Sequence, residues 1–274
     1  MARTLSLAHL TALDVAPADL VRLAAEVGFA AVGLRLLPAA PGGIAHRLMD
    51  DPRGLRDTEA AIAATGVGVF DLEILRIGEG FRPRDHEAFL EVGARLGGRA
   101  VLVAGDHPDE ARVIDGFAAL CDLAAPYGLT CDLEFMPWVP VGDARTALRI
   151  VEAAGRPNGG VLVDALHVAR SATTLADIAA IPAGRSHYVQ ICDAPATIPA
   201  TADGLIHDAR RARLPPGEGA IDLSGILDRL PADIPVSCEV PNDVRRARLG
   251  TAAWVRTVHD AARRLPDHRP SERP

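Results

Sequence analysis

Residues 129–164 have the sequence LTCDLEFMPWVPVGDARTALRIVEAAGRPNGGVLVD, and this stretch decides the fold. A short run of strand-type residues (129–134) is followed by a helical stretch (144–154), a glycine at Gly155 and a second apolar strand (160–164). Glycine directly after a helix is typical of a left-handed C-terminal residue, a conformation that costs little only for glycine. The stretch therefore predicts one complete β-α-β unit.

The same alternation of strand and helix continues along the 274 residues of the chain. The predicted strands are 4–8, 31–35, 67–73, 100–104, 129–134, 160–164, 187–191 and 236–239. The predicted helices are 18–27, 56–65, 85–96, 109–125, 144–154, 175–181, 223–230 and 244–264. Eight such units predict a parallel sheet, and eight strands close into a barrel whose interior is filled by side chains. We therefore expect an α/β protein with one domain, a (β/α)8 TIM barrel over 1–265, followed by a disordered, proline-rich tail at 266–274.

An open, doubly wound sheet is the main structural alternative. It is disfavoured because no G-x-G-x-x-G motif follows the first strand. The longest interruption of the alternation, 193–218, follows the seventh strand and is too irregular and proline-rich for a regular turn. Loops of this length in a compact domain are usually functional or disordered, and barrel enzymes build their sites on this face. We expect an irregular functional loop there.

Composition and charge restrict the partners. The formal net charge of −7 argues against nucleic-acid binding, which depends on Lys and Arg that neutralise phosphates. The four cysteines lie in apolar runs without a C-x-x-C pair, so buried thiols in a reducing compartment are expected. No stretch approaches the roughly 18 apolar residues of a membrane span. We expect a cytoplasmic protein with a small-molecule substrate and no membrane partner, and a homo-oligomer is left open.

Four consecutive predicted strands each end in a polar residue of metal-ligand type: Glu134, Asp164, Gln190 and Glu239. Carboxylates at the ends of buried strands are costly unless they are paired or bind a cation. Strand alternation places Glu134 on the inner face of its strand. Three carboxylates and one amide form an all-oxygen ligand set, which favours Mn²⁺ or Mg²⁺, with Co²⁺ or Zn²⁺ left open. The sequence therefore predicts a site for one divalent metal ion.

These residues resemble the sugar phosphate isomerase/epimerase family of xylose-isomerase-like TIM barrels. The resemblance runs from Leu5-Ser6-Leu7 to Cys238-Glu239-Val240-Pro241 and covers nearly the whole chain. Glu134, Asp164 and Glu239 match the metal ligands of the family, whereas Gln190 stands where many members have histidine. The resemblance also implies substrate contacts. These come from His167 of the Asp-x-x-His motif and from Arg213, which precedes the segment Leu-Pro-Pro-Gly-Glu-Gly.

Three further residues are weaker candidates for substrate binding. Arg210 lies in the same loop as Arg213. Glu73 is predicted at the end of the third strand, where a salt bridge to Arg35 or Arg76 is the structural alternative. His9 follows the first strand, and a purely structural histidine is an equal alternative.

The resemblance implies that Glu134 and Glu239 are the catalytic pair that removes and returns a proton next to a carbonyl. The expected enzyme is a divalent-metal-dependent isomerase or epimerase of a ketose or keto-polyol. The alternative is a related lyase, a dehydratase of a keto-cyclitol or dehydroshikimate-like substrate. A non-catalytic metabolite-binding barrel would be expected to lack the strand-end acids. An apurinic-site endonuclease would need more metal-binding histidines and a basic groove.

Overall fold

Eight parallel strands pair in chain order and close into a barrel through the pairing of β8 with β1. The computed structural model describes residues 3–265. The strands are Leu5–Leu7 (β1), Ala31–Arg35 (β2), Gly68–Ile77 (β3), Ala100–Gly105 (β4), Thr130–Glu134 (β5), Gly159–Asp164 (β6), Val189–Ile191 (β7) and Val236–Cys238 (β8). The predicted (β/α)8 barrel is confirmed. The predicted tail at 266–274 lies outside the described residues.

Helices alternate with the strands around the barrel. Within the described residues they are Pro17–Val27 (α1), Pro52–Thr65 (α2), Glu87–Arg95 (α3), Glu110–Ala124 (α4), Ala144–Ala154 (α5), Ala165–Arg170 (α6), Leu175–Ala179 (α7), Ala202–Arg211 (α8), Leu223–Leu227 (α9), Asp243–Leu249 (α10) and Thr251–Arg263 (α11). The predicted bounds of α5 are confirmed. Asp143 starts this helix, because its side chain accepts a hydrogen bond of 2.9 Å from the backbone N–H of Thr146.

Two helices were not predicted. The expectation that 193–218 is an irregular loop is wrong, because α8 occupies its centre. The hydroxyl of Thr201 accepts a hydrogen bond from the Gly204 N–H and starts the helix, so the prolines of the segment flank α8 and do not break it. The short helix α6 begins directly at the end of β6. The predicted helix 244–264 is divided at Gly250, whose φ of +82° favours glycine.

The third strand is longer than predicted. It continues to Ile77, so Glu73 lies within β3 and not at its end. The pairing of β3 with β4 shifts register between Leu72 and Leu75, and that of β2 with β3 shifts between Val32 and Leu34. Register shifts of this kind change which side chains of neighbouring strands lie opposite each other.

The inner face of β5 carries the polar residues Thr130, Asp132 and Glu134, as alternation predicts, while Leu133 joins the apolar core between barrel and helices. Low in the barrel, His187 Nδ1 lies 2.6 Å from Asp132 Oδ1. A Cβ at position 160 would lie 2.6 Å from that oxygen, so only glycine fits beside the pair. The polar interior therefore extends below the rim.

The four cysteines are free and buried, which confirms the prediction of buried thiols. Over residues 3–265, none of the helices combines the length and apolar character that crossing a membrane requires.

Candidate active site

Glu134, Asp164 and His167 form a buried cluster at the carboxyl ends of β5 and β6. One ligand atom from each lies within 4.8 Å of the others. The Asp164 Oδ1 atom caps α6, because it accepts hydrogen bonds from the backbone N–H groups of Leu166 at 2.7 Å and His167 at 3.2 Å. This cap fixes the Asp-x-x-His motif, and His167 Nε2 then lies 3.4 Å from Glu134 Oε1. The three residues have the spacing of a metal site.

Arg213 connects Asp164 to Glu239, the residue after β8. Its Nη1 lies 2.6 Å from Asp164 Oδ2, and its Nη2 lies 2.8 Å from Glu239 Oε2. Its Nε donates to the carbonyl of Ala209 at 2.7 Å, so the guanidinium is held on three sides. Burial alone would raise the pKa of Asp164, but the charge of Arg213 holds it below its usual value. Asp164 is therefore ionised at neutral pH.

Gln190 lies inside the barrel on β7 and is fully buried. Neither its Oε1 nor its Nε2 has a hydrogen-bond partner among the described residues. An unpaired buried amide costs about 1–3 kcal/mol, so such groups normally have a ligand, an ion or water beside them. Its strand neighbour in the register is Asp164, which places the unpaired amide next to the acidic cluster.

Buried carboxylates outnumber buried guanidinium groups around this cluster. Four carboxylates face two guanidinium groups: Glu73, Glu134, Asp164 and Glu239 against Arg35 and Arg213. This excess of acidic groups favours the binding of a cation. The donor set and the unpaired Gln190 amide thus fit a divalent metal ion. His167 adds an imidazole to the expected all-oxygen set, and imidazole also suits zinc and cobalt.

Glu73 has the partner that the structural alternative named. The Arg35 Nε atom donates to Glu73 Oε2 at 2.8 Å, and both side chains are buried. The Arg35 guanidinium also lies 4.0 Å from Glu239 Oε1. Glu73 therefore holds the Arg35 guanidinium in place, and its role as a substrate contact stays a prediction.

His9 uses both ring nitrogens to bind backbone. Its Nε2 lies 2.9 Å from the carbonyl oxygen of Val15 and must donate, while its Nδ1 accepts from the Arg35 N–H at 2.9 Å. Burial lowers the pKa of His9 to about 3. The ring is thus neutral and holds β2 in place, and substrate binding by His9 stays a prediction.

A small cavity of about 40 Å³ lies at the candidate active site. Its polar lining is Arg35, Arg76, Glu134, His167, Arg210, Arg213 and Glu239. An outer pocket of about 400 Å³ adjoins it, since both are lined by Leu10, Arg35, Ala39 and Arg210. Five of the predicted site residues therefore line one cavity: Glu134, His167, Arg210, Arg213 and Glu239.

Residues 21–265 match the family model described as "Xylose isomerase-like TIM barrel". The chain belongs to the xylose isomerase-like TIM barrel family. This confirms the resemblance seen in the sequence.

Two curated relatives of this barrel carry different activities in their names. A 3-dehydroshikimate dehydratase of Pseudomonas aeruginosa is 31% identical over 169 residues, which is 60% of this chain and 26% of the dehydratase. An inosose isomerase of Bacillus velezensis is 32% identical over 113 residues, which is 40% of this chain and 38% of the isomerase. The chain thus matches only about a quarter to two fifths of the length of these relatives.

The barrel is also similar to the solved structure of the IOLI protein with a binding zinc atom. The TM-score is 0.77 at 20% identity, over 94% of this chain and 96% of that one. At this identity the likeness shows the shared fold.

Two residues that support the site of this xylose isomerase-like barrel were not singled out from the sequence. Trp138, in the segment after β5, packs its ring edge-on against His167 with centroids 5.1 Å apart. Asp193, just after β7, accepts hydrogen bonds from the N–H groups of Gly217 at 2.9 Å and Ile221 at 3.0 Å. It thereby fixes the segment that carries Arg213. The signal for Asp193 was its position as an acid at a strand end, like that of Asp164.

Proposed function

We propose that this barrel is a divalent-metal-dependent enzyme that moves a proton at the carbon next to a carbonyl of a small, oxygen-rich substrate. It would act as an isomerase or epimerase of a ketose or keto-polyol. One observation carries the proposal: Glu134, at the end of β5, and Glu239, directly after β8, line the same cavity. Two carboxylates on different sides of a bound substrate could remove a proton and return it.

Glu134, Asp164, Gln190 and Glu239 would hold the metal ion, and His167 is a further ligand candidate. Oxygen donors make Mn²⁺ or Mg²⁺ the preferred ions, whereas an imidazole ligand would also suit Zn²⁺ or Co²⁺. The bound ion would polarise the substrate carbonyl and so acidify the neighbouring C–H bond.

The side chains of the protein supply the remaining parts. Arg213 holds Asp164 and Glu239 at fixed positions through its two ion pairs. Burial raises the pKa of Glu239 well above its usual value, against the opposing charge of Arg213, which suits a group that exchanges a proton. Met136 and Trp138 line the cavity with apolar surface, which would limit the access of water to the reacting atoms.

A dehydratase is the second candidate. The same proton removal, followed by loss of a hydroxyl group on the next carbon, eliminates water from a keto-cyclitol or dehydroshikimate-like ring. The match to a 3-dehydroshikimate dehydratase over 60% of this chain favours this candidate, while the inosose isomerase favours the first. The two reactions share the acid and base, and they differ in whether a leaving group is expelled.

Turnover in D₂O with Mn²⁺ tests both candidates. The panel of substrates contains ketoses, inososes and dehydroshikimate. NMR and mass spectrometry then identify the products. Deuterium at the carbon next to the carbonyl supports an isomerase or epimerase, and loss of water supports a dehydratase. Glu134→Gln and Glu239→Gln should abolish turnover, whereas the exposed control Glu152→Gln should not. The proposal is wrong if the wild type binds no more Mn²⁺ than an Asp164→Ala variant.

A further inference from the structure

Arg210 stands between the two cavities of the site. It lies in the last turn of α8, is partly buried, and lines both the inner cavity beside Glu134 and the outer pocket. A ligand that occupies both the outer pocket and the inner cavity would therefore lie beside the Arg210 side chain.

The surroundings of Arg210 are positively charged. Its charged neighbours are Arg76, Arg35 and Arg211. Each of these three has an acid of its own: Asp106, Glu73 and Asp243, respectively. Arg210 has no hydrogen-bond or ion-pair partner within residues 3–265. It is therefore the cation of this cluster whose charge the described part of the chain leaves uncompensated.

The position of Arg210 among like charges is unfavourable in the protein without a bound ligand. Burial, and then the charges of Arg76 and Arg35, lower the pKa of Arg210 from its usual value. A cation that is partly removed from water among like charges raises the free energy of the folded state unless an anion joins it. Arg76 shows the alternative in the same cavity, because it donates from Nη2 to Asp106 at 2.7 Å. An anion supplied by a ligand would give Arg210 the equivalent partner.

We infer that Arg210 binds an anionic oxygen group of the substrate, a carboxylate or a phosphate. The reacting carbonyl then lies deeper in the cavity, beside Glu134 and His167. The inference rests on the proposed function and narrows its substrate class to molecules with a negative charge away from the reacting atoms. A ring keto acid meets this requirement, whereas a neutral keto-polyol leaves Arg210 without a partner.

The test compares ligands that differ only in charge, with no turnover required. Shikimate and methyl shikimate are titrated calorimetrically into the Mn²⁺-loaded protein, and fructose 6-phosphate and fructose form the phosphate arm. The wild type should bind the charged member of one pair about tenfold or more tightly than the neutral member. The arm in which this preference occurs identifies the anion as carboxylate or phosphate.

Arg210→Gln should remove the preference, and Arg248→Gln should keep it. The control removes the same charge at an exposed side chain that lines neither the inner cavity nor the outer pocket. Equal or undetectable binding of both members in both arms would overturn the inference, as would an Arg210→Gln variant that keeps the preference. A preserved preference in a protein without turnover would instead count against the proposed function alone.

Discussion

Arg213 Nη1 lies 2.6 Å from Asp164 Oδ2, and both side chains are fully or almost fully buried. Asp164 is a proposed metal ligand, and the same guanidinium also reaches Glu239 at 2.8 Å. The arginine thus neutralises two carboxylates that a metal ion would also contact. We therefore expect the stability of the metal-free protein and metal binding to be coupled through these three residues.

Replacing Arg213 with Met should expose this coupling. In metal-free protein the variant leaves Asp164 and Glu239 buried without their common partner, which should lower the free energy of unfolding by about 3–5 kcal/mol. Added Mn²⁺ should raise the Tm of the variant more than that of the wild type, since the ion supplies the missing positive charge. Thermal unfolding with EDTA or Mn²⁺ measures both effects. The exposed control Arg248→Met should behave as the wild type. An Arg213→Met protein of unchanged stability in EDTA would refute the coupling.

Replacing Gln190 with leucine should raise the stability of the metal-free protein but weaken metal binding. Gln190→Leu removes two buried polar atoms that have no partner, so the metal-free protein should gain about 1–3 kcal/mol. Its affinity for Mn²⁺ should fall about tenfold or more, because a ligand is lost. Gln190→His introduces the residue that many members of the family have at this position and should keep binding. Chemical unfolding and calorimetric titration provide the two measurements. A leucine variant that binds Mn²⁺ as tightly as the wild type would exclude Gln190 as a ligand.

The sequence was sufficient for the barrel and for the strand-end acids. Periodicity and glycine positions are local signals, and they located all eight strands and the bounds of α5. The carboxyl ends of the parallel strands in a barrel lie at one rim, so the sequence predicts that Glu134 and Asp164 lie close together, as the structure shows.

The partners of these acids could not be obtained in the same way. Arg213 lies 49 residues from Asp164 in the chain, and contacts of the segment after α8, among them those of Asp193, bring the two side chains together. The helix α8 was not predicted, because prolines flank it and because its one buried residue, Ala209, gives no apolar periodicity. For Glu73 the sequence offered Arg35 and Arg76 as alternative partners, but the choice of Arg35 depends on rotamers within the barrel, and strand periodicity carries no information about rotamers.

Asp71 is a buried carboxylate inside the barrel, and neither of its oxygens has a partner among the described residues. Burial, and then the charge of Glu73, raise its pKa well above the usual value of 3.8. Because this pKa is higher in the folded than in the unfolded chain, the contribution of Asp71 to stability is most favourable below pH 3.8, and it is lost as the pH rises toward the folded-state pKa. Asp71→Asn, which stays uncharged, should therefore be more stable than the wild type at pH 7, with a smaller difference at pH 4. Urea unfolding at both values tests this, and a destabilised variant at pH 7 would contradict it.

His9 should give a pH dependence of the opposite sign. Its pKa is lowered from 6.5 to about 3 because burial disfavours the charged ring, and the hydrogen bond to the Val15 carbonyl only partly opposes this shift. The unfolded chain takes up a proton near pH 6.5 and the folded chain only near pH 3, so this contribution is complete above pH 6.5 and is lost between these values. His9→Asn keeps one donor and one acceptor without a charge change. The stability of the wild type relative to this variant should fall by up to about 1.4 kcal/mol for each pH unit below 6. Urea unfolding between pH 7 and 4.5 measures the difference, with the exposed His207→Asn as matched control. A difference that stays constant over this range would rule out a neutral buried imidazole at position 9.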